Sequence, residues 1–305
     1  MNVFLLGAAG YIGGSIATVL RAAGHEVRGL VRSEERAAQV RAHGIEAVIG
    51  TLADGELIAR CARAADAVVH AANADDRPSV EAILGALAGT GKPFIHTSGS
   101  GIVADAAGGE ATDRTYDEDT PVTPLPARAA RVALNADILA AAATGVTSVV
   151  IAPPMIYGRG TGVHADSIQV PKLIAVARER GRAACVGRGA NAWSNVHVED
   201  LADLYLAALG SAPAGAFYYA ENGESTLREL CAAIGRMLGL SEDVESLSVE
   251  AANAVYGEAA TKLSFGSNSR VRAIRARKEL GWSPSRRSLE DEIAHGCYAE
   301  DSAPR

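Results

Sequence analysis

The chain has no apolar run approaching the ~18 residues a membrane span requires. It begins with strand-like residues and no basic stretch ahead of them, so neither a span nor a signal peptide is expected. Basic charge is not in excess: 29 Lys and Arg face 36 Asp and Glu, a formal charge of −7. That balance argues against nucleic acid or anionic membranes as main partners. Cysteine is scarce, and Cys61, Cys185, Cys231 and Cys297 stand far apart with no C-x-x-C. They fit reduced thiols filling a core in a cytoplasmic protein. The seven histidines show no ligand spacing, so no metal site is expected. Repeats and low-complexity linkers are absent. What remains is a chain of 305 residues, 48% apolar, with ample material for one large domain or two joined ones.

What is present is concentrated at the start. Asn2–Leu6 is a short apolar run that reads as a buried strand, and the segment Ser15–Ala23 continues as a helix. Between them stand Gly7, Gly10 and Gly13 at three-residue spacing. A tight strand-to-helix turn needs a residue without Cβ, a backbone pressed on pyrophosphate needs another, and close helix–sheet contact needs a third. The free N–H groups at the helix start then face phosphate charge. In this context, strand before and helix after, the triplet points to dinucleotide binding, with Ala9, Tyr11 and Ile12 in the same turn.

The first half then alternates. Strands are expected at Glu26–Val31, Glu46–Ile49, Ala67–His70, Pro93–Ser98 and Thr147–Ala152, with helices at Ser33–His43, Ser79–Leu87 and Arg128–Ala143. Alternation of this kind means right-handed crossovers and a doubly wound parallel sheet, an α/β Rossmann domain. Ala104–Pro126, rich in Gly, Asp, Thr and Pro, is expected as a long loop at the ligand-binding edge. The dinucleotide-binding domain is placed at 1–155, with 192–212 returning to it. The remainder of 156–305 forms a smaller α/β substrate lobe, carrying helices at Pro171–Arg180, Thr226–Leu238 and Arg270–Leu280.

Cofactor choice turns on the end of the second strand, Gly29-Leu30-Val31-Arg32-Ser33, where no acid stands to bond a ribose 2′-hydroxyl. Arg32, helped by Ser33 and Arg36, can instead grip a 2′-phosphate, which favours NADP and leaves NAD as the alternative.

These residues resemble the extended short-chain dehydrogenase/reductases and their atypical, epimerase/dehydratase-like relatives. The resemblance rests on Gly7-x-x-Gly10-x-x-Gly13, Val69-His70-Ala71-Ala72-Asn73, Phe94-Ile95-His96-Thr97-Ser98-Gly99 and Pro153-Pro154-Met155-Ile156-Tyr157-Gly158. It extends through Trp193-Ser194-Asn195-Val196-His197-Val198-Glu199-Asp200 and Leu280-Gly281-Trp282, nearly the whole chain. It implies that Ala71, Ala72 and Asn73 line the adenosine and ribose side. It also implies that Thr51 and Leu52 lie near the adenine, Thr97 and Ser98 near the nicotinamide, and Pro154, Met155 and Tyr157 on its ring. Relatives commonly pair through the helices after strands four and five, so a homodimer is expected.

The departure from the family is catalytic. Its usual Tyr-x-x-x-Lys pair is missing, since the four lysines Lys92, Lys172, Lys262 and Lys278 follow Ala88, Ile168, Glu258 and Ile274 by four residues. At the expected place stands Ala127-Arg128-Ala129-Ala130-Arg131. Arg131 is therefore the candidate for the fixed charge on the ribose, although arginine stays protonated and is a poor general acid. Tyr157 is the candidate proton donor, with packing on cofactor or substrate as its alternative role. Ser98 or Ser100 could orient a substrate oxygen, and His164 could titrate in the Gly158–His164 loop. His197 and Asp200 are expected to close a helix start by hydrogen bonds. The combined expectation is an NAD(P)-dependent oxidoreductase passing hydride between nicotinamide and a small hydroxyl- or carbonyl-bearing substrate. A redox-neutral epimerase or dehydratase and a non-catalytic NADP-binding sensor are the competing readings.

Overall fold

The structure is a computed structural model that describes residues 1–301. In chain order the first half runs β1 (Asn2–Leu6), α1 (Tyr11–Ala22), β2 (Glu26–Val31), α2 (Glu34–Ala42), β3 (Glu46–Ile49), α3 (Gly55–Ala64) and β4 (Ala67–His70). It continues through α4 (Arg77–Leu87), β5 (Pro93–Thr97), α5 (Pro126–Ala140) and β6 (Thr147–Ala152). These six strands are completed by a later one, Ala216–Tyr219, which pairs with β6 and closes a seven-stranded sheet. Every pairing in this sheet is parallel, and the order reverses between β1 and β4, where a doubly wound sheet opens a crevice.

The strand sequences explain their place. Both faces are covered, so strands such as Val68-Val69 and Val149-Val150-Ile151 are apolar throughout rather than alternating. One face packs on α1 and α2, and the other on α3, α4 and α5 through Phe4, Leu6, Phe94 and Ile138. The helix α3 carries Ile58, Cys61 and Ala62 into that core. Its start is nearly silent in sequence, because Asp54 gives its carboxylate to Thr51 instead of capping the helix and Gly55 is a weak first residue.

The second half contributes β7 (Met155–Tyr157), α6 (Gln169–Arg180), β8 (Ala184–Val186), β9 (Ala192–His197) and α7 (Val198–Ser211). The strand at Ala216–Tyr219 is β10, followed by β11 (Gly223–Thr226), α8 (Leu227–Met237) and β12 (Glu245–Leu247). A small sheet orders β11-β9-β7, and β8 pairs with β12. Met155, Leu173, Val186, Trp193, Leu230 and Ile293 share a core separate from those of the large sheet. Leu201, Leu204 and Tyr205 of α7 lie instead in the first core, beside Val3, Leu5 and Ile16. The return to the large sheet thus runs through β10, beyond the expected limit at residue 212.

Two expectations are corrected here. The basic helix expected from Arg270 begins only at Ile274, because Arg270–Ala273 is stretched along Tyr116, whose N–H bonds the Arg270 carbonyl and whose carbonyl takes the Arg272 N–H. Tertiary backbone bonding overrides local helix preference at that point. Likewise Asp200 does not cap α7; it accepts the N–H groups of Ser285 and Arg286 and fastens the C-terminal segment.

Candidate active site

A cleft of about 430 Å³ opens at the C-terminal edge of the sheet, where the strand order reverses. The β1–α1 turn contributes Gly7, Ala9 and Gly10, and the end of β2 contributes Leu30, Val31 and Arg32, with Arg36 from α2. Gly50, Thr51 and Leu52 follow β3, and Ala71, Ala72 and Asn73 follow β4. Nine of the cofactor residues expected from sequence are thereby brought to one cavity.

The glycines act for separate reasons. Gly7 has φ of +93°, and a Cβ on it would lie 2.4 Å from the Ala71 carbonyl oxygen. A Cβ on Gly13 would lie 2.2 Å from the Gly7 carbonyl oxygen, so Gly13 sets how closely α1 approaches β1 and does not face the cleft. Gly10 caps α1 with no side-chain hydrogen bond, and the first turn carries no acid. The helix start therefore presents free N–H groups to an anion. Such a cradle fits a dinucleotide pyrophosphate, with Arg32 and Arg36 at the far end of the cleft and no carboxylate in its lining. Arg32 is exposed and makes no hydrogen bond or ion pair among the described residues. Arg36 bonds Gln39, and the Ser33 hydroxyl accepts the Arg36 N–H as cap of α2.

Other expected cofactor residues turn elsewhere. The Thr97 hydroxyl pairs with Tyr205 at 2.7 Å inside the core. Met155 belongs to the core of the small lobe, and Pro154 is buried beside it. The Tyr11 hydroxyl donates to the Gly158 carbonyl. Ile12 packs against the first core.

Two residues past Asn73, Asp75 begins a charged group that does not itself line the cavity. Arg131 of α5 grips Asp75 with both ends of its guanidinium, at 2.7 Å and 2.5 Å, and this bonding holds the Asp75 carboxyl below the usual carboxylate range. Gly99 lies beside Arg131, since a Cβ there would stand in ordinary contact, 3.6 Å from Nη1. One helical turn earlier, Arg128 lies beside Gly101 and the Trp193 ring. Its Nε is buried with no partner among the described residues, and burial together with the Arg131 charge lowers its proton affinity. One turn after Arg131, Asn135 donates from Nδ2 to Ser98 Oγ at 2.9 Å, leaving the serine O–H free to donate. Beneath them His70 and His96 stack with centroids 5.1 Å apart, both buried. Burial pushes their pKa values down to about 4 and about 3.

The remaining catalytic candidates have places of their own. Tyr157 is fully buried, its hydroxyl donates to the Arg287 carbonyl at 2.8 Å, and its ring meets His197 edge-on. Its proton is held within the lobe core. Ser100 is wholly buried and pairs with Ser269 at 2.7 Å. His164 is exposed on a loop that runs along α1, held by Thr161 bonds to Ser15 and Thr18. His197 caps α7 through Nδ1, as its place before Glu199 implied. Asp75, Arg128 and Asn135 were missed as candidates. Spacing offered one signal: 128, 131 and 135 share one face of the helix after β5.

The pattern that defines the NAD dependent epimerase/dehydratase family matches residues 3–218. The chain belongs to that family. It is similar to an oxidase, UcsJ, of Acremonium sp, 33% identical with 96% of this chain and 95% of that one covered. It is also similar to a 4-hydroxy-2-methyl-3-oxo-4-farnesyl-3,4-dihydroquinoline-1-oxide ketoreductase of Stigmatella aurantiaca, at 29% identity over 83% of this chain and 78% of the other. Among solved structures, the dTDP-glucose 4,6-dehydratase of Bacillus anthracis, in complex with NAD, superposes with a TM-score of 0.78. It is 17% identical and covers 99% of this chain and 96% of its own, a likeness of fold. No helix of the described residues is long and apolar enough to cross a membrane.

Proposed function

We propose that the protein is an NADP-dependent oxidoreductase acting on a small carbonyl- or hydroxyl-bearing molecule. The observation that carries this reading is the cleft itself, a glycine-turn phosphate cradle with two arginines and no carboxylate along its wall. The cofactor, when bound, supplies hydride transfer to or from a substrate carbon. Gly7, Ala9 and Gly10 hold its pyrophosphate, Arg32 and Arg36 its 2′-phosphate, and Ala71–Asn73 its middle portion. Ser98, with its oxygen accepting from Asn135, presents an O–H to the substrate oxygen. Arg131, fixed by Asp75, keeps the charge at the ribose end constant. The free, buried thiols support a reducing, cytoplasmic setting.

The test is NADPH oxidation followed by absorbance with a panel of ketones and aldehydes. Turnover that falls at least about tenfold in Ser98→Ala is expected. Tight cofactor binding with no turnover on any carbonyl would favour the non-catalytic reading, which the commitment of Tyr157 to Arg287 supports.

A further inference from the structure

The charge on the face of α5 that carries Arg128, Arg131 and Asn135 does not cancel. Arg128 and Arg131 stand one turn apart on α5, and the single carboxylate beside them, Asp75, is bonded bidentately to Arg131 alone. The Arg128 side chain makes no hydrogen bond or ion pair among the described residues. Its guanidinium lies near Gly101. A Cβ at Gly101 would stand 3.7 Å from Nε and Nη2 and 3.9 Å from the Trp193 ring. Arg128 thus lies against the segment that follows β5, with Trp193 of the small lobe near the same glycine, while Asn135 on the same face of α5 bonds Ser98. This net positive corner belongs to a protein of formal charge −7. A half-buried, unpaired guanidinium with a planar fork of donors matches a carboxylate more than any neutral group.

We infer that the substrate carries an anionic group, a carboxylate near its reacting carbonyl, and that Arg128 binds it. The inference rests on the oxidoreductase reading, since it names the class of substrate for the same cleft. In this arrangement Ser98 takes the carbonyl oxygen of an oxo acid and Arg128 its carboxylate, and 3-oxo acids serve as the probe for that class.

Isothermal titration of the protein loaded with NADP+, which cannot reduce a ketone, measures this without turnover. The probes are short and medium-chain 3-oxo acids and their methyl esters. The acids should bind at least about tenfold tighter than the esters, and the acid affinity should weaken as salt rises. In Arg128→Met the acid-to-ester preference should fall by about 10- to 100-fold, and Arg128→Lys should recover part of it. NADP+ affinity reports whether each variant is folded, and the salt dependence of the wild type decides the matter if neither is. Equal binding of acid and ester by the wild type, no binding of either, or a preference unchanged in Arg128→Met would overturn the inference. Selective acid binding without NADPH oxidation would strike the oxidoreductase reading while leaving the anion site standing. Oxidation of NADPH with acid and ester bound alike would do the reverse.

Discussion

At the scale of single residues, the account separates side chains that face the cleft from those the fold has claimed. Tyr157 is the sharpest case. Its hydroxyl donates to the Arg287 carbonyl inside the lobe core, so Tyr157→Phe should lower stability by about 1–2 kcal/mol and leave NADPH-dependent turnover within about threefold. A loss of turnover near a hundredfold with melting temperature unchanged would restore it as the acid. Sequence placed Tyr157 correctly after β6 but could not show which way the ring turns. β7 pairs with β9 and sends Tyr157 into the small lobe. The His70–His96 pair gives a second residue-scale prediction. Both pKa values lie below that of an unfolded histidine, about 6.5, so the unfolded chain binds more protons below that pH. Stability is therefore complete above about pH 6.5 and is lost as pH falls toward the folded values, by roughly 1.4 kcal/mol per pH unit for each histidine. Denaturant midpoints at pH 7 and pH 5 should drop steeply for the wild type and less for His96→Phe. Parallel drops would show that another group governs the slope.

At the scale of elements, strands and their glycine turn were legible because each carries a local cause. The spacing of Gly7, Gly10 and Gly13 maps onto a backbone that leaves no room for Cβ at two of the three. The run Glu26–Val31 coincides with β2 as expected, with Val27, Leu30 and Val31 buried and the polar Glu26 and Arg28 near its start. Elements whose cause is distant were not legible. The stretch Arg270–Ala273 carries helix-forming arginines, yet it is extended because Tyr116, far away in sequence, supplies its backbone partners. The charged corner of α5 falls between these cases. Arg131 was singled out by its place after β5, whereas Arg128 and Asn135 gain meaning only when Gly101, Trp193 and Ser98 are brought against them.

At the scale of the whole molecule, one chain carries a parallel sheet with its own cores and a smaller lobe with another, and α7 and β10 stitch the lobe's chain back into the sheet. The consequence is a cleft whose two ends differ. One end, built wholly by the sheet, has a form dictated by phosphate chemistry. The other is the proposed substrate end, where Arg128 of α5 and Trp193 of the lobe both lie against Gly101. The central claim concerns the first end: that this cavity holds a dinucleotide and that Arg32 selects its 2′-phosphate. Fluorescence titration of wild type and Arg32→Ala with NADPH and NADH tests it most directly. NADPH should bind the wild type at least about tenfold tighter than NADH, and the substitution should weaken NADPH by about 10- to 100-fold while NADH changes little. Equal losses for both cofactors, or a wild-type preference for NADH, would contradict it.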